Sequence, residues 1–150
     1  MDPYVFLKGE GRAIDLGGFT MTVKADPQRT GDSFSLLESA EPPGFGPPLH
    51  IHHDGAEAFY VLEGEYTIFL PSGEVRCPAG AFIFIPAGVE HGFRVGASHS
   101  RKLNLYVPAA MVGYFDEMAS AGGTRDGAAL DELAARYGME VTGPVPEGYV

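Results

Sequence analysis

The amino-acid sequence predicts an all-β protein, an antiparallel sandwich or barrel, followed by two C-terminal α-helices. About ten short apolar runs occupy residues 4–107, and turns containing Gly or Pro separate most of them. No helical period interrupts these runs, which is typical of a sandwich or barrel. We see no internal repeat or linker. We therefore expect one domain over residues 1–150, with strands at about 4–107, helices at about 108–138 and an extended tail at 139–150.

The composition is that of a globular protein and argues against charged polymers as partners. Of 150 residues 45% are hydrophobic, and the 21 Gly and 12 Pro residues suit the many turns of a short-stranded β protein. Asp and Glu number 20 against 10 Lys and Arg, which gives a formal net charge of -10. Nucleic acids and anionic membranes both require basic patches, so we expect neither as a partner.

The N-terminus shows no basic segment followed by an apolar one, and no apolar run approaches the roughly 18 residues of a membrane span. We therefore expect a cytoplasmic protein. The single cysteine, Cys77, excludes an intrachain disulfide. Its position at a strand end predicts a buried structural thiol rather than a nucleophile.

The strands follow from alternating apolar residues between turns. Residues 4–7 are a candidate edge strand, and residues 19–25 alternate cleanly, with Phe19, Met21 and Val23 on one face. A short linker at Glu63 and Gly64, between two apolar runs, is typical of a hairpin. The other predicted strands are 34–38, 49–53, 57–62, 65–70, 74–77, 81–85, 91–95 and 101–107.

Two apolar stripes at spacings i, i+3, i+4 and i+7 predict the helices. Pro108 can occupy the first turn of the first helix, which Gly122 and Gly123 end. Asp126 can cap the second helix, and Gly138 ends it. The stripes are packing surfaces or, alternatively, part of a lid over a pocket. Their members are Met111, Tyr114, Phe115 and Met118, then Leu130, Leu133, Ala134 and Tyr137.

Three histidines and one glutamate stand where neighbouring strands could bring them together. His50 and His52 project from one face of a strand because side chains alternate, and they lie roughly 7 Å apart along it. Glu57 opens the next apolar run, and His91 follows a Pro-Ala-Gly turn. Imidazole and carboxylate ligands suit Fe, Mn, Ni, Co, Cu and Zn, so we predict one divalent transition metal of undetermined identity.

These stretches resemble the two sequence motifs of the cupin superfamily. The first motif is met by Gly44, His50, His52, Glu57 and Gly64, and the second by Gly80, Pro86, Gly88 and His91. Val95 replaces the Asn that ends the second motif, but that Asn is not a metal ligand in the family. The short gap between the motifs is similar to that of small bacterial cupins.

The resemblance implies a cupin antiparallel β-barrel, also called a double-stranded β-helix or jelly roll. It implies that His50, His52, Glu57 and His91 are the metal ligands. A single domain with a C-terminal helical pair is similar to the quercetin-dioxygenase-like group. Small cupins usually pair, so the resemblance also implies a homodimer.

Strand parity predicts the walls of a pocket beside the metal. Residues on the faces of Glu57 and His91 would line it, together with one face of the last strand. For each of them a place in the plain barrel core is an equally good interpretation. The predicted lining is Phe59, Val61, Phe93, Val95, Leu103 and Leu105, with Asn104 and Tyr106 as alternates to the two leucines.

Four protein ligands on a five- or six-coordinate metal leave open positions, which mark catalytic sites. The leading hypothesis is a dioxygenase acting on a small, partly apolar or aromatic oxygenated substrate, with Glu57 as general base. The alternatives are a redox-neutral isomerase, cyclase or lyase, and a non-catalytic cupin that binds a small molecule. The motifs do not decide among them, because one fold hosts many chemistries.

Two further histidines are not predicted to be ligands. His53 follows His52 directly, so strand parity sends its side chain to the opposite face. His99 lies in a loop rich in Gly and Ser, where a solvated side chain is expected.

Overall fold

Strands dominate the computed structural model, which describes residues 1–120, 127–144 and 146. Within these residues, ten strands precede the C-terminal helices and one follows them. The elements are β1 (Arg12–Asp15), β2 (Thr20–Ala25), α1 (Pro27–Thr30), β3 (Ser35–Glu41), β4 (His50–His52), β5 (Ala56–Glu63), β6 (Glu65–Leu70), β7 (Gly73–Pro78), β8 (Phe82–Ile85), β9 (Gly92–Val95), β10 (Ser100–Val107), α2 (Met111–Ser120), α3 (Gly127–Arg136) and β11 (Met139–Val141).

Two antiparallel sheets hold most of the strands. The larger sheet has the order β1-β2-β3-β10-β5-β8, and the smaller has the order β7-β6-β9. A two-stranded ladder joins β11 to β4, and a backbone bridge joins His50 to His91. The predicted all-β architecture with a C-terminal helical pair is confirmed. The ladders between the described residues do not close into a continuous barrel, so the jelly roll is open.

The core lies mainly where the two sheets face each other. One buried cluster joins Phe59 and Val61 of β5 to Tyr66 and Ile68 of β6, with Phe93 of β9 between them. Each such side chain contributes roughly 1.5–3 kcal/mol when fully buried. This apolar layer holds β5 and β9 at a constant separation, and these strands carry or adjoin two of the predicted metal ligands.

The two helices pack onto a second buried cluster, as their apolar stripes predict. Met111 of α2 is buried in this cluster, and Tyr114, Phe115 and Met118 pack against it partly exposed. In α3, Leu133 and Ala134 are fully buried. None of the described helices is long and apolar enough to span a bilayer.

Gly138 ends α3 in the conformation that the sequence predicts. Its φ of 71° lies in the left-handed region that glycine tolerates best. The chain then enters β11, so the start of the predicted extended tail is a strand paired with β4. The predicted stop at Gly122 and Gly123 and the predicted cap at Asp126 lie outside the described residues.

Residues 4–7 do not form the predicted edge strand, and the first strand is β1. The aromatic side chains of this run pack against Arg29 of α1, and the Tyr4 hydroxyl donates to the backbone carbonyl of Lys24 in β2. The guanidinium carbon of Arg29 lies 4.0 Å from the centre of the Tyr4 ring. Val5 and Leu7, between and beyond the two rings, remain largely exposed. The prediction was wrong because an apolar run this short packs equally well as irregular chain.

The hairpin predicted at Glu63 and Gly64 is also wrong. Strand β5 pairs with β8 and β10, whereas β6 pairs with β7 and β9. Gly64 therefore carries the chain from the larger sheet to the smaller one. Its φ is 78°, and a Cβ there would lie 2.0 Å from Oγ of Ser100, so the crossing needs glycine for both reasons.

Candidate metal centre

Three strands bring the four predicted ligands together. His50 and His52 project from β4, Glu57 from the second position of β5, and His91 from the residue before β9. One potential ligand atom from each of the four residues lies within 4.8 Å of the others. The pairing of Met139 with His52 adds β11 behind β4 and holds that strand in place.

Two of the imidazole rings are oriented by backbone carbonyl groups. Nδ1 of His50 lies 2.8 Å from the carbonyl oxygen of Pro48, and Nδ1 of His91 lies 2.9 Å from that of Val89. A carbonyl oxygen only accepts, so Nδ1 carries the proton in both rings. Both rings therefore point their Nε2 atoms into the cluster, as in metal-binding histidines whose second nitrogen is hydrogen-bonded.

Glu57 lies between two of the histidines. Its Oε2 is 3.4 Å from Nε2 of His52, and its Oε1 makes a short contact with Nε2 of His91. Burial raises the pKa of the Glu57 carboxyl, but the hydrogen bonds from both imidazoles outweigh burial and hold its pKa well below the usual range. Glu57 is therefore a buried carboxylate.

The pKa values of His50 and His91 shift in opposite directions. Burial, followed by the charge of His91, lowers the pKa of His50 to about 4, so His50 is neutral at pH 7. Burial lowers the pKa of His91, but its hydrogen bond to Glu57 raises the pKa by more, so the pKa is raised overall. A metal ion and the His91 proton therefore compete for the same Nε2 lone pair.

The arrangement fits a divalent transition metal. Three imidazole nitrogens and one anionic carboxylate oxygen are ligands that these metals accept. The four side chains are mostly buried, His50 being the most accessible. His50, His52, Glu57 and His91 are therefore the candidate ligand set.

A cavity of about 110 Å³ adjoins the cluster. His50, His52 and Glu57 form part of its wall. Its other lining residues are mostly apolar, and seven of them are aromatic. Helix α2 contributes three lining residues, so this helix both packs on the core and covers the cavity. The apolar lining includes Phe19, Met21, Phe45, Phe59, Phe93, Tyr106, Met111, Tyr114 and Phe115.

The pocket predicted from strand parity needs correction at four positions. Phe59 and Phe93 do line the cavity. Val61 and Val95 instead lie outside that lining, in the buried layer between the sheets. Leu103 and Leu105 lie on the opposite, partly exposed face of β10, and their alternates Asn104 and Tyr106 line the cavity.

Sequence reasoning missed two charged residues in the cavity wall. Glu41 of β3 and Lys102 of β10 are 1% and 2% exposed and form an ion pair at 2.8 Å. The available signal was the period-two run of Lys102, Asn104 and Tyr106, which marks one face of a strand. Leu103 and Leu105 give the opposite face of β10 a stronger apolar pattern, which predicts the wrong face as the interior.

The remaining predictions for single residues agree with the structure. His53 is exposed, and its Nε2 lies 2.7 Å from Oε2 of Glu140, away from the cluster. His99 is exposed. Cys77 is a buried free thiol, and burial raises its pKa.

Comparisons with known proteins agree with this fold. Residues 37–101 match the family described as Cupin domain. Quercetin 2,3-dioxygenase of Bacillus subtilis (strain 168) is 28% identical over 113 residues, which are 75% of this chain and 34% of that protein. The chain thus spans about a third of the length of this curated relative.

Two solved structures share the architecture. KdgF from Halomonas sp. superposes with a TM-score of 0.63 at 18% identity, covering 71% of this chain and 94% of that one. The polyketide cyclase RemF from Streptomyces resistomycificus has a TM-score of 0.57 at 27% identity, covering 72% of this chain and 80% of that one. The fold and the match over residues 37–101 make this chain similar to the cupin family. The curated relative adds a similarity to the quercetin dioxygenase group.

Proposed function

We propose that this cupin is a metal-dependent dioxygenase acting on a small, partly apolar or aromatic oxygenated substrate. The observation that carries the proposal is the position of His50, His52 and Glu57 in the wall of a mostly apolar cavity that seven Phe and Tyr side chains help to line. The similarity to quercetin 2,3-dioxygenase supports the reaction type.

The proposed metal ligands are His50, His52, Glu57 and His91. When bound, a divalent transition metal supplies Lewis acidity and, if redox-active, electron transfer to dioxygen. The hydrogen bonds from Nδ1 of His50 and His91 keep the Nε2 atoms directed to one point without reorganisation. These carbonyl partners therefore act as positioning groups for the proposed centre.

Glu57 is the proposed general base. It is an anionic carboxylate that is 3% exposed and lines the cavity, so a substrate hydroxyl can reach it. Burial, with the charges of Glu57 and Glu41, raises the pKa of Tyr106 well above its usual value. Tyr106 therefore stays protonated beside Glu57 and is a hydrogen-bond donor to an oxygen of the substrate.

The cavity favours a substrate whose reacting part is a single ring. A dry protein cavity of about 150 Å³ admits benzene, and this cavity has a volume of about 110 Å³. Aromatic walls contact the flat faces of such a ring and exclude water from it. We expect larger flavonols to enter only if α2 moves outward.

A redox-neutral reaction on the same site is the second candidate. The observation that favours it is the 27% identity to the polyketide cyclase RemF over 72% of this chain. In this case Glu57 would again accept a proton from the substrate, and dioxygen would not be consumed.

Oxygen uptake separates these proposals. The metal-loaded protein is mixed with catechol, and separately with quercetin, in an oxygen electrode while substrate loss is followed by absorbance. Equal consumption of oxygen and substrate, lost after chelation and restored by metal, supports the dioxygenase. Conversion without oxygen uptake supports the cyclase, isomerase or lyase. Metal-loaded protein that binds such compounds without converting them indicates a binding cupin.

We also propose that two copies pair through the outer face of the larger sheet. Phe82, Phe84 and Tyr60 are 66%, 59% and 46% exposed there. Tyr60 lies directly between Phe82 and Leu103 in neighbouring strands, so these apolar side chains are contiguous. Monomeric proteins rarely expose a large apolar patch of this kind. The cytoplasmic location expected from the sequence stays a prediction.

A further inference from the structure

A second polar cluster borders the cavity beyond the candidate metal centre. It consists of Ser39, Glu41, Tyr66, Lys102 and Asn104, here called the Lys102 cluster. All five residues are at most 2% exposed. Glu41, Lys102 and Asn104 belong to the cavity wall. Ser39 and Tyr66 lie behind them and contact Glu41.

The hydrogen bonds within the Lys102 cluster converge on one side of Glu41. Its Oε1 accepts from Oγ of Ser39 at 2.9 Å, from the hydroxyl of Tyr66 at 2.8 Å and from Nζ of Lys102 at 2.8 Å. Lys102 also donates to Oγ of Ser39 at 3.0 Å, and so does Nδ2 of Asn104 at 3.0 Å. Ser39 is thereby fully used as one donor and two acceptors.

The cluster retains hydrogen-bonding capacity toward the cavity. Among the described residues, no hydrogen bond ends on Oε2 of Glu41 or Oδ1 of Asn104. Lys102 has three N–H groups and reaches two acceptors. Glu41 and Asn104 both belong to the cavity wall, so a ligand in the cavity can supply the missing partner. Buried polar groups normally find partners, and here the available partner is a ligand.

The position of Lys102 gives the cavity two polar ends. Tyr106 pairs with Glu57 across β10 and β5, Asn104 pairs with Phe59, and Lys102 pairs with Val61. Lys102 is four residues from Tyr106 on the same face, about 13 Å along the strand. Phe59 lies between the two ends, and its ring centre is 5.0 Å from Nζ of Lys102. A ligand in contact with both ends would therefore lie along an aromatic wall.

A contribution to folding stability does not by itself explain the buried ion pair of Glu41 and Lys102. A buried pair rarely stabilises a fold more than apolar side chains of similar size, because both charges lose their hydration. The rings of Phe93, Phe59 and Tyr66 lie 4.2–5.2 Å from Nζ and partly replace that hydration. The opposite charges of Glu41 and Lys102 leave the cluster neutral overall, which disfavours a charged ligand group.

We propose that the Lys102 cluster binds a neutral hydroxyl group of the substrate, at the end of the cavity away from the metal ligands. The hydroxyl donates its proton to Oε2 of Glu41 and accepts a hydrogen bond from Nζ of Lys102. A carboxylate or phosphate would place its charge beside Oε2 of Glu41 and Oδ1 of Asn104. The ligand class is therefore a phenol or alcohol. This assignment rests on the proposed function only in treating the cavity as the substrate site.

The first test compares phenol, toluene and benzoate on the chelator-treated wild-type protein by ligand-observed NMR titration. These probes share one ring and differ in the group that the cluster would contact. Phenol is expected to bind about tenfold more tightly than either of the others, because toluene leaves Oε2 of Glu41 and the third N–H group of Lys102 without a partner. Equal or tighter binding of toluene, or tighter binding of benzoate, would overturn the assignment.

The second test removes both charges together with Glu41→Gln and Lys102→Met, which leaves no uncompensated buried ion. The preference for phenol over toluene is expected to disappear, so that the two compounds bind with about equal affinity. The control, Glu38→Gln with Arg101→Met, removes an ion pair that joins the same two strands on their other face at 3.0 Å. The control is expected to keep the preference. A folded Glu41–Lys102 variant that keeps it would contradict the proposal.

These outcomes are independent of the proposed reaction. The titrations use protein without metal, so a failure to consume oxygen leaves them unchanged. If the Glu41–Lys102 variant does not fold, the wild-type comparison of phenol, toluene and benzoate still tests the assignment. A second measurement on the wild type is transfer of magnetisation between phenol protons and the Lys102 side chain. If no transfer is seen at saturating phenol, the ligand lies elsewhere and the assignment is refuted.

Discussion

At the scale of single residues, the candidate centre depends on how its side chains are held before any ligand arrives. Backbone carbonyls fix the ring orientations of His50 and His91, and the hydrogen bonds from His52 and His91 keep Glu57 ionised. The same carboxylate is thus both a candidate ligand and a candidate base. Its two roles are separable by removing the charge while keeping the volume.

Glu57→Gln is therefore expected to reduce turnover per bound metal by about 10²–10⁴-fold, because an amide does not accept the substrate proton. The measurement is steady-state turnover with bound metal determined on the same sample. Glu63→Gln, at the exposed end of the same strand, is the control and should retain activity. Unchanged turnover in metal-loaded Glu57→Gln would exclude this residue as the base.

Cys77 is expected to be chemically inert in the folded protein. Burial raises the pKa of its thiol, so the thiolate is scarce at pH 8. A thiol reagent such as a disulfide-exchange chromophore should modify it at least about tenfold faster after unfolding in guanidinium chloride. Equal rates in the two states would show that the thiol is accessible in solution.

At the scale of elements, Gly64 joins the two sheets. Gly64→Ala would place a left-handed φ on an alanine and a Cβ against Ser100. Gly80→Ala, with a φ of 92° and nothing near its Cβ, incurs the backbone penalty alone. We expect about 1–2 kcal/mol of destabilisation for Gly80→Ala and clearly more for Gly64→Ala. Urea unfolding of both metal-free variants checks this, and equal losses would show that Ser100 moves aside.

The elements also show which structural features the sequence determines locally. The ligands were predictable because the two motifs place them within a few residues of strands and turns, and the stripes of α2 and α3 follow from helical spacing alone. The partners of β5 and β6 were not predictable from their linker, because pairing depends on distant strands. The inward face of β10 was not predictable, because it carries the polar residues Lys102 and Asn104. Only the register of β10 with its neighbours determines which face points inward.

At the scale of the whole molecule, the chain combines a β core with an apolar outer sheet face. Phe84→Glu is expected to convert the proposed dimer to a monomer, because it places a charge in the paired patch. Val75→Glu substitutes an equally accessible residue on the smaller sheet and should leave the dimer intact. Sedimentation velocity gives the masses. A monomeric wild-type protein would remove the basis for this interface.

The most direct test of the central claim is elemental analysis of the protein purified without a histidine tag, compared with His52→Ala and His53→Ala. The two histidines are adjacent, but only His52 faces the cluster. We predict about one divalent transition metal per chain in the wild type and in His53→Ala, and little metal in folded His52→Ala. Undiminished metal in His52→Ala would contradict the assignment of the centre.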